Sequence, residues 1–111
     1  MTDLAEKTCV PCRGGVPPMA RAEAEAYLRE APGWALQDAG TRIERTFKLK
    51  NFKDALGLVN RIGALAEDEG HHPDITFGWG YVIVSSHTHK IKGLHENDFI
   101  MAAKINRLAE A

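Results

Sequence analysis

Apolar positions along the chain follow two periods, and the places where the period changes mark out its elements. From Met19 to Ala31 the composition is rich in Ala, Glu, Arg and Leu, with Ala24, Tyr27, Leu28 and Ala31 at three-and-four spacing. A first helix is expected there, stopped by Pro32-Gly33. Trp34-Ala35-Leu36-Gln37 then reads as a short strand, Asp38-Ala39-Gly40 as a turn, and Thr41 to Leu49 as a second strand. Ile43, Arg45, Phe47 and Leu49 fall on one face of that strand and Arg42, Glu44, Thr46 and Lys48 on the other. Such alternation predicts a sheet with one wet face and one face covered by helices.

Asn51 suits an N-cap, and Phe52, Ala55, Leu56, Val59, Ile62, Gly63 and Ala66 follow at helical spacing as far as Gly70, a residue fitted to the left-handed position beyond a helix end. This is the second helix. Ile75 to Gly78 and Tyr81 to Ser86 read as a hairpin turning at Trp79-Gly80, and Glu96 to Ala109 as a third helix with Phe99, Ile100, Ala103, Ile105 and Leu108 apolar. The expected fold is α+β, a four-stranded antiparallel sheet with three helices on one face, in the order αββαββα. Residues 1–18 hold Cys9, Pro11, Cys12, Gly14, Gly15, Pro17 and Pro18 with little periodicity, so an irregular, partly mobile arm is expected before a domain at 19–111.

Composition narrows the classes of function. A length of 111 residues fits one domain, and 44% hydrophobic with 26% charged residues is ordinary for a globular protein. No apolar run reaches the roughly 18 residues that would span a bilayer. The start, Met1 to Lys7, lacks the basic-then-apolar order of a signal peptide, which makes a reducing cytoplasm the expected location. With 14 Lys and Arg against 15 Asp and Glu, and no basic block, direct nucleic-acid binding is not expected. Cys9-Val10-Pro11-Cys12 has the spacing of half a zinc site or of a thiol redox pair; with no second pair to complete it, two incidental thiols is the simpler reading.

The candidate chemistry gathers at Glu67-Asp68-Glu69-Gly70-His71-His72-Pro73 and at His87-Thr88-His89. Ending a helix at Gly70 with Pro73 just beyond turns the chain out of the helical path, so His71 and His72 sit where imidazoles can face a cleft. Glu67 can reach back toward them, or stand as a solvated helix residue. Asp98 reads as a first-turn carboxylate favoured by the helix dipole or as a support for a neighbouring imidazole. His87 shares parity with His89 on an extended strand, yet a surface role is expected for it; His95 reads as a cap-region or solvent residue. Trp34 and Trp79 read as core or interface aromatics, with Trp34 also a candidate pocket wall.

Glu67, three residues, His71-His72-Pro73, five residues, Trp79, nine residues, His89, eight residues and Asp98 together resemble the signature of the pterin-4a-carbinolamine (4a-hydroxytetrahydrobiopterin) dehydratases. The likeness runs from about Met19 to the C-terminus and extends to the order of helices and strands. One departure is Ala20, where the family usually has a Ser or Thr cap, which bears on the first turn of helix one. The resemblance implies a hydro-lyase acting on a 4a-hydroxytetrahydropterin, the species left when an aromatic amino acid hydroxylase has used its pterin cofactor, and yielding quinonoid dihydropterin and water. It implies catalytic roles for His71, His72 and His89, with His72 chiefly holding the pterin, and supporting roles for Glu67 and Asp98; Trp34, apart from the resemblance, is the candidate substrate-binding wall against the flat ring. No cofactor or metal is implied, and family members associate as dimers or tetramers.

Two other classes of function stand beside this one. Animal members of the family also serve as dimerisation cofactors of a homeodomain transcription factor through a helical face, which here would be helix two or helix three. A metal protein using His71, His72 and His89, with or without Cys9 and Cys12, is the third.

Overall fold

The computed structural model describes residues 4–10 and 16–110. Its elements are a 3-10 turn at Leu4–Glu6, α1 (Arg21–Leu28), β1 (Ala35–Gln37), a 3-10 turn at Asp38–Gly40, β2 (Arg42–Lys48), α2 (Phe52–Glu69), β3 (Asp74–Gly78), β4 (Tyr81–Ser86), a 3-10 turn at His89–Ile91 and α3 (Glu96–Glu110). Helix one is shorter than its composition suggests. Ala20 at its N-cap makes no side-chain capping bond, and the chain leaves the helix through Arg29 and Glu30.

Helix α2 is bounded as its sequence dictates. Asn51 Oδ1 accepts from the Asp54 amide at 2.8 Å, and Gly70 takes φ 68 and ψ 25, a left-handed conformation that a side chain disfavours. Its buried stripe is Ala55, Leu58, Ile62 and Ala66, whereas Phe52 and Leu56, grouped with that stripe by spacing, are 47% and 39% exposed. The helix carries apolar residues around more than one face, and the sheet selects which face is covered.

The four strands form one antiparallel sheet in the order β1-β2-β4-β3, so the two hairpins are joined through β2 and β4. Register puts Ile43 opposite Ser86, Phe47 opposite Val82 and Ile75 opposite Val84 on the helix-covered face. Lys48, Thr46, Asp74 and Thr76 are exposed on the other. Arg45 falls on the covered side yet is accommodated, its guanidinium 4.4 Å from the Phe47 ring centre and bonded to Asn106 Oδ1 at 2.6 Å and the Pro32 carbonyl at 3.1 Å.

Helix α3 is buried almost all round, Phe99 to Ala103 without a break. One side meets the core and another is covered by the Leu4–Glu6 turn, where Leu4 is 2% exposed. A fully buried leucine contributes about 1.5–3 kcal/mol. The start of the arm is therefore packed where composition suggested irregular chain. Its anchors are polar too: the Lys7 ammonium and the Tyr27 hydroxyl both donate to Glu96 Oε2 at 3.0 Å, and the Cys9 amide donates to Glu69 Oε1 at 2.7 Å. Cys12 lies outside the described residues.

Candidate active site

Four segments meet at one end of the sheet: the exit from α2, the end of β4 with the turn after it, the first turn of α3, and the arm at Val10. They enclose a cavity of about 350 Å³ whose lining includes His71, His72, His87 and His89. Thr88, Lys90, Asn97, Gly70 and Val10 complete its wall. The volume lies in the range of small-molecule sites.

The first turn of α3 is capped reciprocally. His95 Nδ1 accepts from the Asn97 amide at 3.0 Å while Asp98 Oδ2 accepts from the His95 amide at 3.0 Å, a capping box with His in place of the usual Ser or Thr. Asp98 is fully buried, and its carboxylate also receives the Ser86 hydroxyl at 2.7 Å, the Thr88 hydroxyl at 2.8 Å and His71 Nε2 at 2.7 Å. Asp98 thus caps the helix and bonds an imidazole at once. An imidazole N–H at Nε2 suits this carboxylate as donor.

His72, more exposed than His71, pairs with Glu67 Oε2 at 2.5 Å. That pair is open, with side-chain exposures of 60% and 79%. His89 begins the 3-10 turn after β4 and stands edge-on to His87, ring centres 4.1 Å apart. Thr88 and Gly93 pair across this turn. Gly93 is required there, because a Cβ on it would come within 2.5 Å of Pro18 Cβ.

The chain thus brings His71, His72 and His89 to one cavity, with Asp98 behind His71 and Glu67 beside His72. Trp34 is not brought there. It is buried in the core, its indole N–H donating to Asn106 Oδ1 at 2.9 Å and its ring edge-on to Phe47. An amphipathic aromatic finds its polar partner on α3, away from the lining of the histidine cavity. Trp79 is 72% exposed at the hairpin turn.

His87, expected at the surface, belongs to the cavity wall; its parity with His89 was the available signal. Asn97 had none. Its side chain accepts from the Val10 amide at 3.0 Å and donates to the Val10 carbonyl at 2.6 Å, holding the arm against the cavity from a position 87 residues away in sequence. Among the described residues no three His, Cys, Asp or Glu side chains converge as a metal-ligand set. Cys9 makes a long contact from Sγ to the Asn97 carbonyl, 3.7 Å, and burial followed by the charge of Glu69 pushes its thiol up to about 12.

The chain matches the family described as Pterin 4 alpha carbinolamine dehydratase over residues 17–108. It is 59% identical to a Cupriavidus pinatubonensis protein named "Putative pterin-4-alpha-carbinolamine dehydratase 1", across 96% of this chain and 91% of the relative. It is 56% identical to a similarly named Azoarcus protein, across 98% and 93%. Among solved structures it is similar to a transcriptional coactivator/pterin dehydratase from Brucella melitensis, with a TM-score of 0.78 at 34% identity over 83% of this chain and 98% of that one. A pterin dehydratase-like protein identified as a RuBisCO assembly factor shares the fold, with a TM-score of 0.62 at 23% identity, covering 72% and 93%. The chain belongs to the pterin-4a-carbinolamine dehydratase family.

Proposed function

We propose that this chain dehydrates a 4a-hydroxytetrahydropterin in the histidine cavity, with His71 and His89 moving the protons and His72 holding the ring. The activity is that of the family. The observation that carries the assignment of roles is His71 held by buried Asp98 in a cavity that His89 and His72 also line.

Dehydration breaks the C4a–O bond and removes the N5 proton, so that a C4a–N5 double bond forms and water departs. Hydroxide is a poor leaving group, and protonation of the oxygen as it leaves is the step a protein can assist. One imidazole gives that proton and another takes the one from N5; solvent resets both. His71 lines the cavity and is oriented by the bond between its Nε2 and Asp98, the part an orienting carboxylate plays in other acid–base sites. His89 is exposed and makes no hydrogen bond through its ring among the described residues, so it is open to exchange protons with water. The pair suits a reaction in which no group must form a covalent intermediate.

On this reading the protein acts after an aromatic amino acid hydroxylase, in recycling of the tetrahydropterin cofactor. Self-association as a homodimer or homotetramer accompanies this reading, and light scattering on the purified protein tests it. A second reading, a protein-binding module acting through a helical face, is favoured by the exposure of Phe52 and Leu56 on α2.

The deciding experiment is dehydration of freshly generated 4a-hydroxytetrahydropterin, followed by ultraviolet absorbance against the uncatalysed background. Acceleration that disappears in His89→Ala establishes enzyme and site together. No acceleration by well-folded protein shifts the assignment to the binding module.

A further inference from the structure

Next to the histidine cavity is a second one of about 290 Å³, lined by Thr41, Arg42, His87, His89 and Lys92. His87 and His89 line both cavities, so the two adjoin. The dehydration chemistry gives no task to Thr41, Arg42 or Lys92.

The lining carries cationic side chains and no carboxylate. Lys92 is exposed and joins no ion pair among the described residues. Its backbone is in the left-handed region, φ 52 and ψ 43, at the end of the His89–Ile91 turn, and the Thr88–Gly93 pairing holds that turn in place. Arg42 is partly held by Asp38, 3.4 Å from its Nε, which leaves the terminal nitrogens of the guanidinium as donors. A planar donor fork, an ammonium and two imidazoles around one small space form a surface complementary to a compact oxyanion such as a phosphate.

We propose that this second cavity is a subsite for an anionic group carried on the side chain of the pterin, a phosphate ester being the best fit, so that the protein prefers pterins with an anionic tail to neutral ones. The proposal rests on the histidine cavity holding the pterin ring. A ring seated against His89 puts its substituent beside the adjoining cavity, where Arg42 and Lys92 receive the charge. Thr41 borders the space with its hydroxyl already donated to the Asp38 carbonyl at 2.8 Å, so it contributes shape more than donors.

Two measurements test this. In the first, the ring signals of His87 and His89 are followed by nuclear magnetic resonance during titration with inorganic phosphate, at ionic strength matched with chloride because exposed charges are screened. Saturable shifts at millimolar phosphate, weakened at least fivefold in Arg42→Gln or Lys92→Gln and lost in the double variant, support the subsite; rings unmoved by phosphate overturn it. In the second, KM is compared for a 4a-hydroxytetrahydropterin bearing a neutral hydroxylated side chain and for its phosphate ester. The expected result is a KM at least tenfold lower for the ester, with the advantage lost in the double variant and kcat on the neutral substrate within twofold of the parent. Equal KM values beside a positive phosphate titration overturn the substrate assignment and leave a site for free phosphate. Failure to dehydrate either pterin beside a positive titration overturns the pterin reading, and with it the claim on the side chain, because the first measurement requires no turnover.

Discussion

Asp98 Oδ1 lies 2.7 Å from His71 Nε2, and the carboxylate that makes this contact is itself fully buried at the start of α3. Its cost of burial is offset by four donors: one imidazole, two hydroxyls and the His95 amide. The imidazole is thereby tied to the end of a helix and the end of a strand at once. A loop histidine acquires the rigidity of the core.

Asp98→Asn separates the two roles of this carboxylate. The amide keeps the size but loses the charge and turns donors toward donors, so turnover is expected to fall by roughly 10² or more and stability by about 1–3 kcal/mol. His71→Ala is expected to match the loss of turnover with a smaller loss of stability, since the helix cap survives. Turnover and urea denaturation on the same preparations check both.

His89→Ala is expected to lower turnover by roughly 10², while leaving the melting temperature nearly unchanged because the side chain is exposed. Glu67→Ala is expected to act weakly, since an open ion pair contributes about 0–1 kcal/mol. His72→Ala is expected to raise KM more than it lowers kcat. Steady-state kinetics of the three variants distinguish a proton-moving residue from a holding one; equal effects at all three positions would contradict these roles.

Trp34 serves the core. Trp34→Ala is expected to cost about 3–5 kcal/mol, and Trp34→Phe about 1 kcal/mol for the lost bond to Asn106, with KM for the pterin unchanged in the phenylalanine variant. A raised KM in Trp34→Phe would return this residue to the site.

Acid is expected to loosen the arm. Lys7 holds the Glu96 carboxyl below the ordinary range, against the opposing effect of burial, and at Glu69 burial is outweighed by the Cys9 amide and Lys104, so that carboxyl is lowered too. Both titrate lower in the folded chain than unfolded. Their stabilisation is therefore complete above the ordinary glutamate value of 4.5 and is lost as pH falls through the lowered folded values. Amide exchange at Lys7 to Val10 is expected to accelerate below that point ahead of the sheet, and Glu69→Gln to flatten the pH dependence.

Cys9 is expected to resist alkylation at pH 8, because a thiol pushed up to about 12 is almost wholly protonated there. Mass spectrometry after iodoacetamide treatment of the native protein and of urea-unfolded protein measures the contrast. Equal labelling rates would show that the Cys9 site is open in solution.

Local pattern carried a good part of this protein. The spacing of Ala55, Ile62 and Ala66, the Asn51 cap and the left-handed Gly70 were legible because each is settled within a few residues of itself. So were the two hairpins, the change of period between strand and helix, and the clustering of His71, His72 and His89 at element ends. What local pattern left open was which of several apolar stripes turns inward, and Leu58 displaced Leu56 and Phe52 from the core stripe of α2 for that reason.

Short-range pattern was enough for the elements, their order, the α+β class and most of the histidines of the cavity, because helix and strand periods and turn chemistry act over short stretches of chain. Tertiary structure alone decided the β1-β2-β4-β3 order, the burial of Asp98 among four donors, the docking of Val10 on Asn97, the place of His87 in the wall and the removal of Trp34 to the core. Each of these joins groups whose meeting depends on how whole elements pack. A buried polar group takes the partner that packing brings within reach, and no local window of sequence contains that partner.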